Sequence, residues 1–426
     1  MDSLDSVFHC IEDSACSWII TGQAGAGKST LIRYIATYSH SNVVVLASTG
    51  VAAQLINGST VHSFFGFPPG ITIHDIQKMK ISKRKEKILS AIEWFVIDEV
   101  SMLRADWLDC IEMYLSIFGK NPGRGFGGYR ILLSGDLYQL PPVVQQDEEE
   151  IFRTQYKSPF FFHAHNYPLL KPQTLILNGN FRQTDDETIN RLNQIREGNI
   201  TEKLLSYMNT RVSPVFYREE EELCLVLTAT HQKETALNAE RLALLNTPIR
   251  TFPAFIEGSF PESQFPTDRI LSLAIGAQVM FVTNDSEGRF MNGSLGMVTD
   301  MQTNRENHIL SVLTESQIQI QLEREVFMMN RMRWDELTQK LISEEIGRFI
   351  QFPIRLAWAI TIHKSQGKTF QRVHIDLGKG AFAPGQVYVA LSRCSSFDGI
   401  TLQNPIHKKD LWVDERVRDF YHSLVS

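Results

Sequence analysis

Apolar residues in this chain come in short, continuous blocks. Trp18-Ile19-Ile20, Asn42 to Ser48 (NVVVLAS), Trp94 to Ile97 and Tyr129 to Leu133 are too short for helices and lack the strict alternation of a strand with one wet face. Such runs predict strands buried on both sides, as in a parallel sheet. Leu31 to Thr37 and Ala105 to Ile117 carry helical spacing between them. Strands alternating with helices predict a doubly wound α/β domain with ligands at the carboxyl ends of its strands. The strands end in Thr21-Gly22, Asp98-Glu99 and Ser134-Gly135-Asp136, so a site assembled along one sheet edge is expected. The second half repeats the pattern less plainly, with strand-like Leu223 to Thr228, Gln278 to Val282, Val373 to Asp376 and Ile400 to Leu402. Between Asn292-Gly293 and Phe352, the alternation of Ile318, Ile320 and Leu322 predicts an inserted β module. Pro122 to Gly128 (PGRGFGG) reads as a mobile loop.

The first strand runs directly into GQAGAGKST, residues 22–30, which is the phosphate-loop pattern GxxxxGK[ST] in the strand-to-helix setting it requires. Gly22, Gly25 and Gly27 let the backbone turn its N–H groups into an anion nest at a helix start. Lys28 is placed to reach β and γ phosphates, and Ser29 to ligate Mg²⁺. Asp98 and Glu99, ending a buried strand, then read as the metal-side acid and the base that orients water. Gln139, fixed between a strand end and Pro141-Pro142, is placed to sense the γ-phosphate.

Composition narrows the picture. A chain of 426 residues, 43% hydrophobic, predicts two or more domains. No apolar run approaches a membrane span, and the acidic start Met1-Asp2-Ser3-Leu4-Asp5 lacks the basic region of a secretory or transit peptide, so an intracellular protein is expected. Five cysteines without a CxxC pair exclude a disulfide framework and a cysteine-based zinc site. His163-Ala164-His165 has no third ligand at metal spacing. The net charge of −6 is unlike that of a basic nucleic-acid binder, but the acidic runs Asp147 to Glu150 and Glu219 to Glu222 carry eight carboxylates, and the remainder is slightly positive. Lys78 to Lys87 (KMKISKRKEK) is the counterpart basic run, read as a solvated helix face or a phosphate contact.

Nine ordered segments carry a family resemblance: GQAGAGKST, ASTGVAAQLINGSTVHSFF, FVIDEVSML, SGDLYQLPPV, NFRQTDD, AIGAQVMFVTND, NGSLG, LAWAITIHKSQGKTF and VYVALSRC. In order and spacing the chain resembles the Pif family of superfamily 1 DNA helicases from about Trp18 to Cys394. The resemblance implies two RecA-like domains with ATP and Mg²⁺ between them: 1A at 1–63 and 81–173, and 2A at 174–293 and 352–426. It adds a wedge 1B at 64–80 and a small β-barrel 2B at 294–351. It implies nucleotide contacts from Gly22, Gly25, Ala26, Gly27, Lys28, Ser29, Thr30 and the Gly367 backbone, metal ligation through Ser29 and Asp98, and γ-phosphate arginines Arg182 and Arg393. It also implies a DNA track along Thr49, Gly50, His62, Phe64, Thr228, His231, Thr361, His363 and Lys364, with Phe64 offering a stacking face.

The implied activity is ATP-dependent, 5′-to-3′ translocation on single-stranded DNA with unwinding of tailed duplexes, in repair, recombination and replication. G-quadruplexes and displacement loops are candidate substrates. The implied setting is a monomer working on the nucleoid in the cytoplasm of a bacterium or phage-infected cell. The chain departs from the family pattern in two places. No glutamine between Asp2 and Ser17 is available to read adenine, and His231 stands where such helicases carry asparagine. Two rivals, a protein-remodelling ATPase and a nucleotide-gated DNA-binding module, leave the TGVAA and HKSQG segments or the catalytic set unexplained.

Overall fold

The structure, a computed structural model, describes residues 4–56, 58–68, 70–145, 148–183, 185–213, 223–304, 307–335, 337–338 and 340–425. The acidic run Glu219 to Glu222 and Asp147 fall outside these residues. The short apolar runs become strands β1 (Trp18–Gly22), β2 (Val43–Ala47), β3 (Ser59–Thr60), β4 (Trp94–Asp98), β5 (Arg130–Gly135) and β6 (Gln173–Leu177). They form one parallel sheet in the order β3-β2-β4-β5-β1-β6. Its two faces are covered by separate apolar clusters, which is why these strands are apolar on both sides.

β7 (Leu225–Thr228) opens a second sheet, and the chain then leaves it for a long excursion. β8 (Arg250–Pro253) pairs with β10 (Ile270–Leu273), while β9 (Phe255–Gly258) joins the long hairpin β15 (Glu325–Asp335) and β16 (Lys340–Gln351). β11 (Gln278–Phe281), β12 (Leu295–Asn304), β13 (Asn307–Thr314), β14 (Gln319–Leu322) and β17 (Ile354–Leu356) make an antiparallel sheet in the order β14-β13-β12-β11-β17. The chain returns with β18 (Ala359–Thr361), β19 (Val373–Asp376) and β20 (Ile400–Leu402), completing a parallel sheet β18-β7-β19-β20.

The inserted module is therefore larger than residues 294–351. Gln278–Phe281 belongs to its antiparallel sheet rather than to the second parallel one. That strand is buried at every position, and a doubly covered antiparallel strand has the same continuous apolar pattern as a parallel one.

Three other segments take definite places. The segment 64–80 packs into the first core through Phe64, Phe65, Phe67, Ile71 and Ile76. Pro122 to Gly128 closes tightly around Phe126, 2% exposed, with Gly127 N–H donating to Arg124 and Gly127 C=O accepting from Asn121. The basic run spans the end of the helix Ile73–Lys78 and the start of Lys83–Ala91; Lys78, Lys80, Lys83 and Lys87 are exposed as expected of a solvated face, while Lys85 lies 3.6 Å over the Phe64 ring and Arg84 pairs with Glu344 of β16. The C-terminal helix Glu415–Val425 returns to the first core, with Phe420 stacked on Phe162 at 4.2 Å.

Candidate nucleotide site and DNA track

Parallel register brings four strand ends into one row: Thr21 lies opposite Gly135, Ile97 opposite Leu133 and Ala47 opposite Asp98. The phosphate loop follows β1. Gly25 and Gly27 sit at φ 82 and 90, and a Cβ on Gly22 would approach the Leu177 carbonyl to 2.4 Å. Gly27 begins the helix Lys28–Tyr38 with no side-chain cap, so its first N–H groups face the loop. Lys28 Nζ donates to the carbonyls of Gly22 at 2.7 Å and Gln23 at 3.0 Å. Burial lowers its pKa, against the pull of Asp136, Glu99 and Asp98. Ala26 is buried in the loop, while Ser29 and Thr30 are exposed at its end.

Asp98 is 3% exposed. Burial pushes its carboxyl up against the opposing pull of the Glu99 amide, Ser134, Lys28 and Ser29. Glu99 occupies the left-handed region at φ 53, which a non-glycine residue adopts at a cost, and Ser48 Oγ donates to its carbonyl at 2.8 Å. Its Oε2 is buried without a hydrogen-bond partner. Burial, then Asp98, pushes its carboxyl up to about 7. Ser29 and Asp98 offer hard oxygen donors beside the loop, which fits Mg²⁺ held by few protein ligands, phosphates and water. Among the described residues no three His, Cys, Asp or Glu side chains are grouped to hold a metal. His163 instead bonds Ser158 and His165 stacks on Tyr156.

The second half closes over this row. Arg393, 1% exposed, donates to Val389 O at 3.0 Å and Ser392 Oγ at 2.7 Å. Burial and then Arg182 lower it to about 9, while Glu99 attracts it. Arg182 donates to Ser392 O at 3.4 Å, and a Cβ on Gly25 would meet its Cβ at 2.7 Å. Arg182 thus stands at the phosphate loop, and Arg393 lies near Arg182 and Glu99. Gln139, 7% exposed, donates to Asp136 and accepts from Gln366 at 3.4 Å, linking the two sheets beside Gly367, which sits at φ 76.

Three participants were not singled out in the sequence. Tyr388 OH accepts from Ala24 N–H of the loop at 2.9 Å and donates to Asp136 at 2.8 Å. Arg196 Nε donates to the same carboxylate at 3.0 Å. Burial alone would raise Asp136, but Arg196, Lys28 and Tyr388 together hold it below the usual carboxylate range. Phe181, 78% exposed, lies against Gly27 and offers a flat face at the loop where no glutamine was available. Tyr388 and Asp136 stood inside quoted motifs. Nothing local marks Arg196, since its role depends on packing between helix Asp186–Glu197 and β5.

The expected DNA track divides. Thr49, Gly50 and His62 lie at the carboxyl edge of the first sheet, Gly50 in open space and His62 edge-on to Trp107 at 4.1 Å. Phe64 does not offer a stacking face: it is 9% exposed, packed edge-on to Phe65 and Phe95 and covered by Lys85. Thr228 is fully buried and its hydroxyl bonds Thr230 O and Ile360 O, so it has no reach to a phosphate. Thr361, 6% exposed, accepts from Lys364 N–H and caps its own turn. Burial lowers the pKa of His363. His231 and Lys364 converge on Glu234, 3% exposed, which also takes Arg355.

Two parallel sheets sharing one phosphate loop, with carboxylates from one side and guanidiniums closing over it, define a RecA-like nucleotide-driven motor. A sequence profile of PIF1-like helicases matches residues 3–205. The ATP-dependent DNA helicase Pif1 of Campylobacter jejuni is 31% identical over 88% of this chain and 86% of its own length. The ATP-dependent DNA helicase PIF7 of Trypanosoma brucei brucei is 28% identical over 94% of this chain, which spans only 45% of that relative. Pif1 from a Bacteroides species in complex with ADP-AlF4 superposes with a TM-score of 0.90 at 35% identity, covering 99% of this chain and 96% of that one. The same Bacteroides protein bound to ssDNA gives 0.72 over the same shares. The chain belongs to the Pif1-like helicases.

Proposed function

We propose that this chain is an ATP-driven motor that moves 5′ to 3′ along single-stranded DNA and separates tailed duplexes ahead of it. The observation that carries the reading is the meeting of Arg182 and Arg393 with Glu99 and the phosphate loop, because hydrolysis then depends on how both halves of the chain close. Lys28 and the loop N–H groups bind the phosphates, and Phe181 stacks on the nucleotide's planar parts. Glu99 Oε2, freed of protein partners, holds and polarises the attacking water. Ser29 and Asp98 would hold Mg²⁺, which would supply neutralisation of the phosphate charge. Arg182 and Arg393 meet the charge that develops in transfer, a contribution of about 10³- to 10⁵-fold for such arginines. Closing and reopening alternate the grip of the two sheets on the strand. Thr49, Gly50 and His62 hold DNA on the first sheet, with His231, His363 and Lys364 on the second. It acts as a monomer in the cytoplasm of a bacterium or phage-infected cell, on the nucleoid.

The test is ATP turnover with and without a single-stranded oligonucleotide. Strong stimulation, abolished in a folded Lys28→Ala variant, is expected. A rate indifferent to DNA would leave an ATPase that acts on something else.

A further inference from the structure

Several cations of the second sheet already face carboxylates. His231, Lys364 and Arg355 share Glu234, and Lys233 pairs with Asp376 at 2.5 Å. Charge without a carboxylate lies further along the same carboxyl edge. Lys379 follows β19, and Lys408 and Lys409 follow β20; all three are exposed and make no ion pair among the described residues. Lys379 lines a cavity of about 280 Å³ between the loops 377–380 and 402–410, and Lys408 and Lys409 lie in sequence between its wall residues His407 and Asp410. That volume is near the lower end of the roughly 300–1,000 Å³ of ligand sites. Its walls combine apolar Leu377, Leu402 and Ile406 with the exposed Asn404 amide.

The cavity is built rather than incidental. Asp410, 5% exposed, accepts from Ala381 N–H at 3.2 Å and His407 N–H at 2.9 Å, pinning the two loops together. Gly380, at φ 121, passes so close that a Cβ would lie 2.6 Å from Asp410 Oδ1. Register places Asp376 opposite Thr228, and Thr228 opposite Thr361, so the cavity continues the row that holds His363 and Lys364 about two strand spacings, roughly 10 Å, away. Carboxyl ends of parallel strands are where such sheets bind ligands.

We propose that this cavity seats one nucleotide of the single strand, its base against Leu377, Leu402 and Ile406 and the adjoining phosphates on Lys379, Lys408 and Lys409. An apolar slot with one amide and a basic rim suits any base and reads none strongly, as a motor that advances along varied sequence requires. The proposal rests on the motor reading above and names a subsite of it.

The test uses fluorescein-labelled dT12 and the full chain. Lys379→Ala/Lys408→Ala/Lys409→Ala should lower the salt slope of binding by about 0.7 for each phosphate released. Asn404→Trp, filling the mouth from an exposed position, should weaken dT12 roughly fivefold or more. ATP turnover without DNA should be unchanged in both, showing that they fold. A dT12 carrying 5-iodouracil should photo-crosslink to peptides spanning 377–381 or 403–410 in the wild type and not in Asn404→Trp. If wild type binds dT12 while both variants bind it with the same affinity and slope, or crosslinks fall only elsewhere, the subsite is overturned and the motor stands. If wild type itself fails to bind dT12, the motor reading falls with it.

Discussion

Glu99 concentrates the chemistry of the site in one strained residue. Its carboxyl is pushed up to about 7 by burial and then by Asp98, and a water-activating base must be ionised, so kcat/KM for ATP should fall as pH drops below about 7. A profile flat from pH 6 to 8 would remove Glu99 from that role. The same shift has a stability consequence. A carboxyl whose folded pKa lies above its unfolded value favours the fold at low pH, and that contribution is lost as pH rises through about 7. Glu99→Gln should therefore abolish turnover yet raise the melting temperature at pH 8 and not at pH 5; a lower melting temperature at pH 8 would mean the carboxylate is satisfied. Tyr388→Phe tests the strut between the loop and the second sheet. It leaves the Ala24 N–H and Asp136 each short of a partner, a cost of about 1–3 kcal/mol, so kcat/KM for ATP should drop about tenfold or more. Unchanged kinetics would make the strut irrelevant to turnover. Lys28, Asp98 and Glu99 were legible because their spacing is local. That Arg182 and Arg393 come near Glu99 was legible only through family resemblance, because the approach exists only once the second half packs over the first. Thr228 and Thr361 were misjudged because sequence does not say which way a hydroxyl at a strand end turns.

Short continuous apolar runs marked the first sheet well, because both its faces are covered. The same signal misassigned Gln278–Phe281, and it carried no information about where segment 64–80 would pack. That segment's short helix Val61–Phe65 is anchored by Phe64 and Phe65 among Phe67, Phe95 and Tyr114. Aromatic residues just past a DNA motif look alike whether they stack on bases or on one another, and here they stack on one another. Phe64→Ala should accordingly cost about 3–5 kcal/mol of stability, seen in a denaturant titration, while single-strand affinity of the folded protein is unchanged. A stable variant with weak DNA binding would restore the ring to the DNA track.

At the scale of the whole molecule, the connections that join the halves among the described residues include the phosphate loop with Arg182 and Tyr388, the Gln139–Gln366 and Asp136–Arg196 bonds, the C-terminal helix on the first core, and the β15–β16 hairpin, whose Met332, Trp334 and Leu341 pack against that core while Glu344 meets Arg84. This arrangement superposes with TM-scores of 0.90 and 0.89 on the ADP-AlF4 complex and the unliganded form of the Bacteroides relative, and 0.72 on its ssDNA complex. The function proposed for a molecule joined this way is directional separation of strands. The most direct measurement is strand displacement from two partial duplexes differing only in whether the single-stranded tail is 5′ or 3′. The motor predicts ATP-dependent separation of the 5′-tailed duplex, little of the 3′-tailed one, and none of either by Arg393→Ala. Separation of neither substrate by the wild type, or wild-type rates with Arg393→Ala, would contradict it.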